Sequence, residues 1–447
     1  MDVDNIQDII KRLPNPVNWL LLRLNLFPKY LYGKKYAKHK LEIKNAVAID
    51  KRLIKNVNRF ISTTPFYNEK YTKIERISEF NKQVKFIDKD VVLANFDAFF
   101  SSDYKKEDYL EGKTGGSTGF PLKIFMPKNR YAFELSVVHN FWHSVGWHYH
   151  TRGVIRNHKI DDNKIYDINP ITKEIQFDAF RLDEAYCKQI YNVLKVNRIH
   201  FIQCYPSSAY LFCKICTALN LDLSFIKAFL TSSEPVLPFQ KEFVEDKLGL
   251  TLFNFYGHSE KLIIAYQCPI EDVMHFEPTY GYAELIDEQG NNVTQEGAVG
   301  EIVGTTFNNF GMPFVRYKTG DAATYMGNGT CNCGHTGLTV SQIIGHRSKN
   351  LIYKHDNTYT SPTALNLFSK LYDYIDGIQY VQEKKGELII KLIPNKKYSQ
   401  DIENEFCNHI KSIMGAKSEI FIHKVNKIDS EKNGKYAPLI SRLNNLK

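Results

Sequence analysis

The sequence predicts an α/β protein. A large multi-layer N-terminal domain carries parallel sheets and a barrel-like portion, and a small α+β domain closes the chain. Between residues 185 and 255, helix-like stretches alternate with short apolar strands, the pattern of βαβ units around a parallel sheet. After Tyr280, strands follow one another through tight turns, which marks an antiparallel or barrel-like portion. Beyond Leu388 the pattern is strand, helix, strand. At 447 residues, 43% hydrophobic and 13% aromatic, the chain is long enough for two or three domains.

Taken in order, residues 1–110 read as helices with polar joints, 6–13 and 45–60 among them. Residues 122–126 are expected as a strand and 130–145 as a helix. Helices at 185–196, 207–219 and 239–248 then alternate with strands at 200–203, 228–230 and 252–255. Strands at 281–286 and 300–305 flank a turn at Glu288-Gln289-Gly290-Asn291. The terminal unit has strands at 388–393 and 419–423 around a helix at 401–414. The small and charged residues at 345–350 mark the boundary, giving domains 1–344 and 345–447.

The net charge is +9, from 58 basic and 49 acidic residues. That surplus suits anionic substrates such as nucleotides. Charges of both signs are interspersed, with no basic stripe and no RNA-binding aromatic motif, so nucleic acid is not an expected partner. No apolar segment reaches membrane-spanning length. The run from Trp19 to Phe27 is broken by Arg23 and Asn25 and followed by Lys29, Lys34, Lys35, Lys38 and Lys40. A helix packed on the domain is the favoured reading, with at most peripheral contact to a membrane. The N-terminus shows no signal-peptide pattern, so a cytoplasmic location with the eight cysteines reduced is expected.

The most informative stretch is Lys113-Thr114-Gly115-Gly116-Ser117-Thr118-Gly119-Phe120-Pro121. Its glycines free the backbone to present N–H groups, and its hydroxyls are interleaved with them, a composition suited to phosphate oxygens. Lys113 precedes the glycines and Pro121 blocks a helix directly after them, so it is no Walker loop. Further motifs follow. Thr231-Ser232-Ser233-Glu234-Pro235 comes after a strand, where small residues let a flat base approach. Tyr256-Gly257-His258-Ser259-Glu260 offers an aromatic face and a hard oxygen for Mg²⁺. In Val315-Arg316-Tyr317-Lys318-Thr319-Gly320-Asp321 the aspartate suits a ribose diol and Arg316 a phosphate. Near the end, Glu431-Lys432-Asn433-Gly434-Lys435 puts a lysine on a glycine-flanked loop.

In this order the motifs resemble the adenylate-forming (AMP-binding) superfamily, specifically its phenylacetate–CoA ligase-like branch with relatives in capsule polysaccharide biosynthesis. The likeness runs from about Tyr109 to Lys435. It implies the adenylate-forming enzyme fold, with a mobile C-terminal domain that carries the catalytic lysine. It also implies an ATP- and Mg²⁺-dependent ligase that makes an acyl-adenylate from a small carboxylic acid. The acyl group then passes to CoA, or directly to an amine or hydroxyl of a sugar. A non-catalytic nucleotide-binding protein is the rival. Thr114, Gly115, Gly116, Ser117, Thr118 and Gly119 match the segment holding the β- and γ-phosphates. Ser233, Glu234 and Pro235 match the adenine side, and Tyr256 the stacking aromatic, with Gly257 and Ser259 in the same motif. Glu260 matches the Mg²⁺ carboxylate, Asp321 the ribose ligand and Lys435 the lysine between carboxylate and α-phosphate. The family hinge, Gly-Arg-x-Asp-Asp, is replaced by Gly345-His346-Arg347-Ser348-Lys349-Asn350. Arg347 stands one place late and both acidic residues are missing.

Cys268, His275, Cys331 and Cys333 make a second constellation, three thiols and an imidazole that suit a closed structural Zn²⁺ site. His335 and His258 are alternatives to His275. Some members of the branch bind zinc at similar positions. The pair His139 and His143, with His148 and His150 following, lacks a glutamate in metalloprotease spacing and reads as core or pocket histidines. Cys213 and Cys216 lie on a helix-like stretch and read as packing thiols. Ser207 or Ser208 is expected to cap the helix that follows it.

Overall fold

The computed structural model describes residues 13–24, 28–44, 48–113, 122–156, 158–234, 236, 238–344, 351–356, 359–360, 365, 371, 374–428 and 439–443. The chain divides into two compact units. One comprises Met1–Glu111 with Phe125–Ile343, the other Gly112–Ile124 with Ile344–Lys447.

The larger unit is built on a sheet of twelve strands. Its middle is parallel and runs Thr251–Gly257, Ala228–Ser232, Phe201–Cys204, Arg152–Arg156, Glu174–Asp178. Ala228–Ser232 is buried at every position, as a parallel strand covered on both faces must be. Register explains how the two faces are filled. Ile202, Phe229 and Leu252 are aligned on one face, and Phe201, Ala228, Leu230 and Phe253 point to the other.

The first face receives helices Glu184–Val196 and Pro206–Ala218. Glu184–Val196 buries Tyr186, Cys187, Ile190, Tyr191 and Leu194, and Asp183 caps it by accepting from the Tyr186 amide at 2.8 Å. Pro206–Ala218 buries Ala209, Phe212, Cys213 and Cys216 at i, i+3, i+4 and i+7. Cys187 and Cys204 join them in this core, and burial pushes all four thiols up, Cys216 to about 12. They are packing thiols, which answers the expectation for Cys213 and Cys216.

The second face receives helix Tyr131–His143, whose Val137, Val138, Phe141 and Trp142 pack with Trp147 on the sheet. His139 is fully buried there, and Tyr36 meets its Nδ1 at 2.9 Å. Burial holds this imidazole well below its usual range, so it is a neutral core histidine.

Antiparallel strands extend the same sheet beyond Thr251–Gly257. In order they are Ile264–Gln267, Met274–Phe276, Thr336–Ile344, Tyr317–Thr330, Val299–Thr306 and Gly281–Ile286. At the opposite edge lies the short antiparallel strand Asp167–Asn169.

The smaller unit has a four-stranded sheet in the order Glu419–Lys424, Glu387–Pro394, Ile375–Gln382, Leu439–Ser441. The central pair is an antiparallel hairpin and each outer strand runs parallel to its neighbour. Leu388, Ile390 and Leu392 alternate inward, and helix Gln400–Met414 buries Phe406, Ile410, Ile413 and Met414. Among the described residues no helix is long and apolar enough to cross a membrane.

Candidate active site

The parallel strands end together. Ile155 is in register with Cys204, Cys204 with Thr231, and Ser232 with Phe255. Arg156, Tyr205, Ser233 and Tyr256 therefore gather at the carboxyl edge of the sheet, where open α/β sheets bind ligands.

Three of the expected site residues meet on one side of this edge. Tyr256 donates its hydroxyl to Asp321 Oδ2 at 2.8 Å. Asp321 sits on Tyr317–Thr330 where the register with Val299–Thr306 slips between Glu301 and Val303. Gly320 takes a φ of +75° at this bulge, a turn that glycine makes without strain. Thr319 Oγ1 fixes the turn by accepting from the Asp321 amide at 3.1 Å while donating to the Ile302 carbonyl at 2.7 Å. Glu260, in the turn after the Tyr256 strand, faces His258 Nδ1 at 3.1 Å and accepts from the Tyr317 hydroxyl at 3.4 Å. Burial and the adjacent carboxylates hold the Tyr256 and Tyr317 phenols well above their usual range. Both remain neutral donors. The result is two carboxylates set among phenols, an arrangement able to accept from a diol and to give hard oxygens to a divalent cation. Gly257 ends the strand, and Ser259 lies in the turn beyond it.

The backbone after Glu260 is anchored from the second face. Lys261 has a φ of +58°. Its carbonyl accepts from Arg130 at 3.2 Å, and its ammonium pairs with Glu134. Arg130 also holds Glu134 at 2.7 Å and Asn308 at 2.6 Å and donates to Tyr280. Burial works to raise the Glu134 carboxyl, but Lys261 and Arg130 outweigh it and hold it down to about 2. The network restrains a left-handed, non-glycine residue next to Glu260.

Ser233 and Glu234 lie on the adjoining strand end. Ser233 has a φ of +73°, and its hydroxyl accepts from Arg156 at 2.9 Å. Glu234 Oε2 accepts from the Ser207 amide at 3.1 Å and so caps helix Pro206–Ala218. This corrects the expected serine cap. Tyr205 occupies the cap position and makes no side-chain cap bond, so a carboxylate from the next strand end takes the helix's positive end.

Arg316 is a second correction. It was expected to be available to a phosphate, yet it is buried in a bidentate pair with Glu284, at 3.2 and 2.8 Å. Its other terminal nitrogen donates to the carbonyls of Asn81 and Val84, and Phe86 stacks on it at 3.9 Å. Its donors are spent on holding the N-terminal segment to the sheet. The phosphate stretch Thr114 to Gly119, with Pro235, Arg347 and Lys435, lies outside the described residues.

The four soft donors also come together. Cys268 follows Ile264–Gln267, His275 centres Met274–Phe276, and Cys331 and Cys333 turn the chain from Tyr317–Thr330 into Thr336–Ile344. The ligand atoms all lie within 4.8 Å of one another. Cys268 and Cys331 sulfurs are 3.9 Å apart, and Cys333 Sγ is 3.3 Å from His275 Nε2. A tetrahedral ion with bonds of about 2.3 Å to sulfur needs sulfurs about 3.8 Å apart, so the donor set fits zinc. The other ring nitrogen of His275 is 3.0 Å from Thr339 Oγ1, its partner in strand register, which fixes the ring's orientation. The amides of Ile270 and Glu271 donate to Cys268 Sγ at 3.5 and 3.4 Å. His335 stacks on His275 at 4.3 Å and His258 pairs with Glu260, so neither takes the place of His275 in this group.

Sequence reasoning missed Arg156 and the anchoring group of Arg130, Glu134 and Lys261. Arg156 ends an apolar strand without any motif, and the anchoring group joins residues more than a hundred positions apart.

This is the fold of the adenylate-forming ligases. The 2-hydroxyisobutyryl-CoA ligase, solved with 2-HIB-AMP and CoA in the thioesterification state, aligns at a TM-score of 0.56 and 15% identity, over 88% of this chain and 89% of that one. The same enzyme in the postadenylation state with R3-HIB-AMP gives 0.52 at 14% identity, over 89% of each chain. In sequence the chain is similar to protein CapK of Staphylococcus aureus, at 21% identity over 457 residues, 94% of this chain and 96% of that protein. Residues 351–442 match the family model of the CapK C-terminal domain.

Proposed function

We propose that this protein is an ATP-dependent, AMP-forming ligase that activates a carboxylic acid as its acyl-adenylate, in a cytoplasmic step of surface-polysaccharide assembly. The observation that carries the reading is the Tyr256–Asp321 bond beside Glu260, at the carboxyl edge of a sheet with the adenylate-forming fold. A carboxylate oxygen attacks the α-phosphorus of ATP, the bond to the β-phosphate oxygen breaks, and pyrophosphate leaves. A nucleophile then attacks the acyl carbon and AMP leaves. Asp321 accepts from the ribose diol, Tyr256 flanks the base, and Ser233, Glu234 and Pro235 border it. Glu260 supplies a ligand to Mg²⁺, which when bound offsets the charge that builds on the phosphates. Thr114 to Gly119 take the β- and γ-phosphates, and Lys435 the reacting carboxylate and α-phosphate. Arg347 contributes from the altered hinge sequence. Catalysis here is alignment and electrostatics, so no nucleophilic side chain is required.

The acceptor is CoA or an amine or hydroxyl of a sugar. The test is pyrophosphate release from ATP with aryl, fatty, hydroxy and amino acids, each with and without CoA. Release that depends on one acid class supports the ligase, and acceleration by CoA identifies the acceptor. No release with any acid leaves a nucleotide-binding protein.

Cys268, His275, Cys331 and Cys333 are assigned to a structural zinc that ties the turn at 331–333 to the neighbouring strands. Metal analysis of reduced, unchelated protein is expected to find about one zinc per chain, as the closed four-ligand set implies. Cys331→Ser should lose that zinc and unfold at lower temperature. Protein without metal, as stable as the Cys331→Ser variant, would remove the assignment.

A further inference from the structure

Arg156 has no role in the chemistry above, and among the described residues it lacks the carboxylate partner that Arg52, Arg130, Arg152 and Arg316 have. Arg52 meets Glu42 at 3.2 Å, Arg130 meets Glu134 at 2.7 Å, Arg316 meets Glu284 at 2.8 Å, and Arg152 pairs with Glu174. Among the described residues no carboxylate lies within ion-pairing distance of Arg156. Neutral groups hold it instead. Its terminal nitrogens donate to Ser232 Oγ at 3.2 Å and Ser233 Oγ at 2.9 Å, and its guanidinium lies over the Tyr205 ring at 4.8 Å.

The acidic groups closest along the fold are already engaged. Asp178, in register with Arg156 on the neighbouring strand, accepts from the Phe180 amide at 2.9 Å and the Ile160 amide at 3.4 Å. Glu234 accepts from the Ser207 amide. A half-buried cation fixed by two hydroxyls and a ring, at the ligand-binding edge of the sheet, is set up for an anion from outside the chain. Of its five N–H donors, two go to the serines.

Sheet order indicates which anion. The strand of Arg156 and the strand of Tyr256 lie on opposite sides of Ala228–Ser232. Ser232 and Ser233 therefore stand between Arg156 and the Asp321 and Glu260 carboxylates that the proposed function gives to the ribose and Mg²⁺. The reacting carboxylate is also a poor partner, because a carboxylate clamped by a guanidinium is a weaker nucleophile toward phosphorus. We propose that Arg156 receives a second anionic group on the acid, so that the substrate is a carboxylic acid carrying a further carboxylate, phosphate or sulfate. The inference rests on the ligase reading and narrows its substrate class.

The test uses size-matched pairs: dicarboxylic acids against their monoamides, and phosphorylated hydroxy acids against the free hydroxy acids. Acid-dependent pyrophosphate release by the full chain should favour the anionic member by about 10- to 100-fold in kcat/KM, as a charge-assisted hydrogen bond implies. Arg156→Gln should raise KM for the anionic member and erase the preference without raising KM for ATP. Arg156→Lys should restore part of it. Equal use of both members by the unaltered protein overturns the proposal. So does a rise in KM for ATP in Arg156→Gln with the acid preference intact, which would give the guanidinium to the nucleotide. If no acid releases pyrophosphate, the ligase reading fails separately, and thermal shift with the same pairs decides. Stronger stabilisation by the anionic members, lost in Arg156→Gln, supports the anion site, and equal shifts reject it.

Discussion

Replacing Glu260 with Ala is expected to lower acid-dependent pyrophosphate release by about two to three orders of magnitude, the usual loss when a group that stabilises developing charge is removed. Glu260 is the carboxylate that His258 and Tyr317 orient, and the Arg130–Glu134–Lys261 network fixes the backbone directly after it. The variant should keep its fold, because the Glu260 carboxylate belongs to a turn and not to the core. Raising the Mg²⁺ concentration should recover part of the rate, since a weakened cation site saturates later. A Glu260→Ala protein with nearly unaltered turnover and Mg²⁺ dependence would show that the cation is held elsewhere.

Arg316→Ala is expected to destabilise the larger unit by about 3–5 kcal/mol, because it leaves the buried Glu284 carboxylate without its partner. Burial already pushes the Glu284 carboxyl up, and Arg316 opposes that shift. All three tryptophans, Trp19, Trp142 and Trp147, belong to this unit, so denaturation followed by their fluorescence reports on it. The double change Arg316→Met with Glu284→Leu should recover much of the loss, since it removes both charges together. At temperatures where the single variant stays folded, KM for ATP should be unchanged. A stable Arg316→Ala protein with a large rise in KM for ATP would return Arg316 to the phosphate role first read from its motif.

The two arginines show where sequence reading succeeds and where it stops. Arg316 stands in a recognisable motif, but its partner Glu284 is 32 residues away, and only the pairing of strands reveals that the charge is spent. Arg156 stands in no motif at all, yet the fold leaves it facing the Ser232 and Ser233 hydroxyls at the carboxyl edge of the sheet. Helices with a strong apolar stripe were legible almost to the residue. Glu184–Val196 was expected from 185, and Gln400–Met414 from 401. Arg152–Arg156 escaped because five residues after a histidine- and tryptophan-rich segment give no alternation to read. Tyr317–Thr330 escaped because Gly320, Gly327 and Gly329 make a long strand look like a loop. The cysteine group was legible because the Cys-x-Cys turn constrains two donors locally. His275 was favoured over His335 from the sequence, and strand register then sets His275 opposite Thr339.

The central claim is that a carboxylate oxygen bonds to the α-phosphorus of ATP. The most direct measurement supplies an accepted acid labelled with ¹⁸O in its carboxylate and follows the label by mass spectrometry after acyl transfer. The account predicts one labelled oxygen in AMP and none in the pyrophosphate. Label in inorganic phosphate with ADP as the nucleotide product would mean attack at the γ-phosphate through an acyl phosphate, and would contradict it.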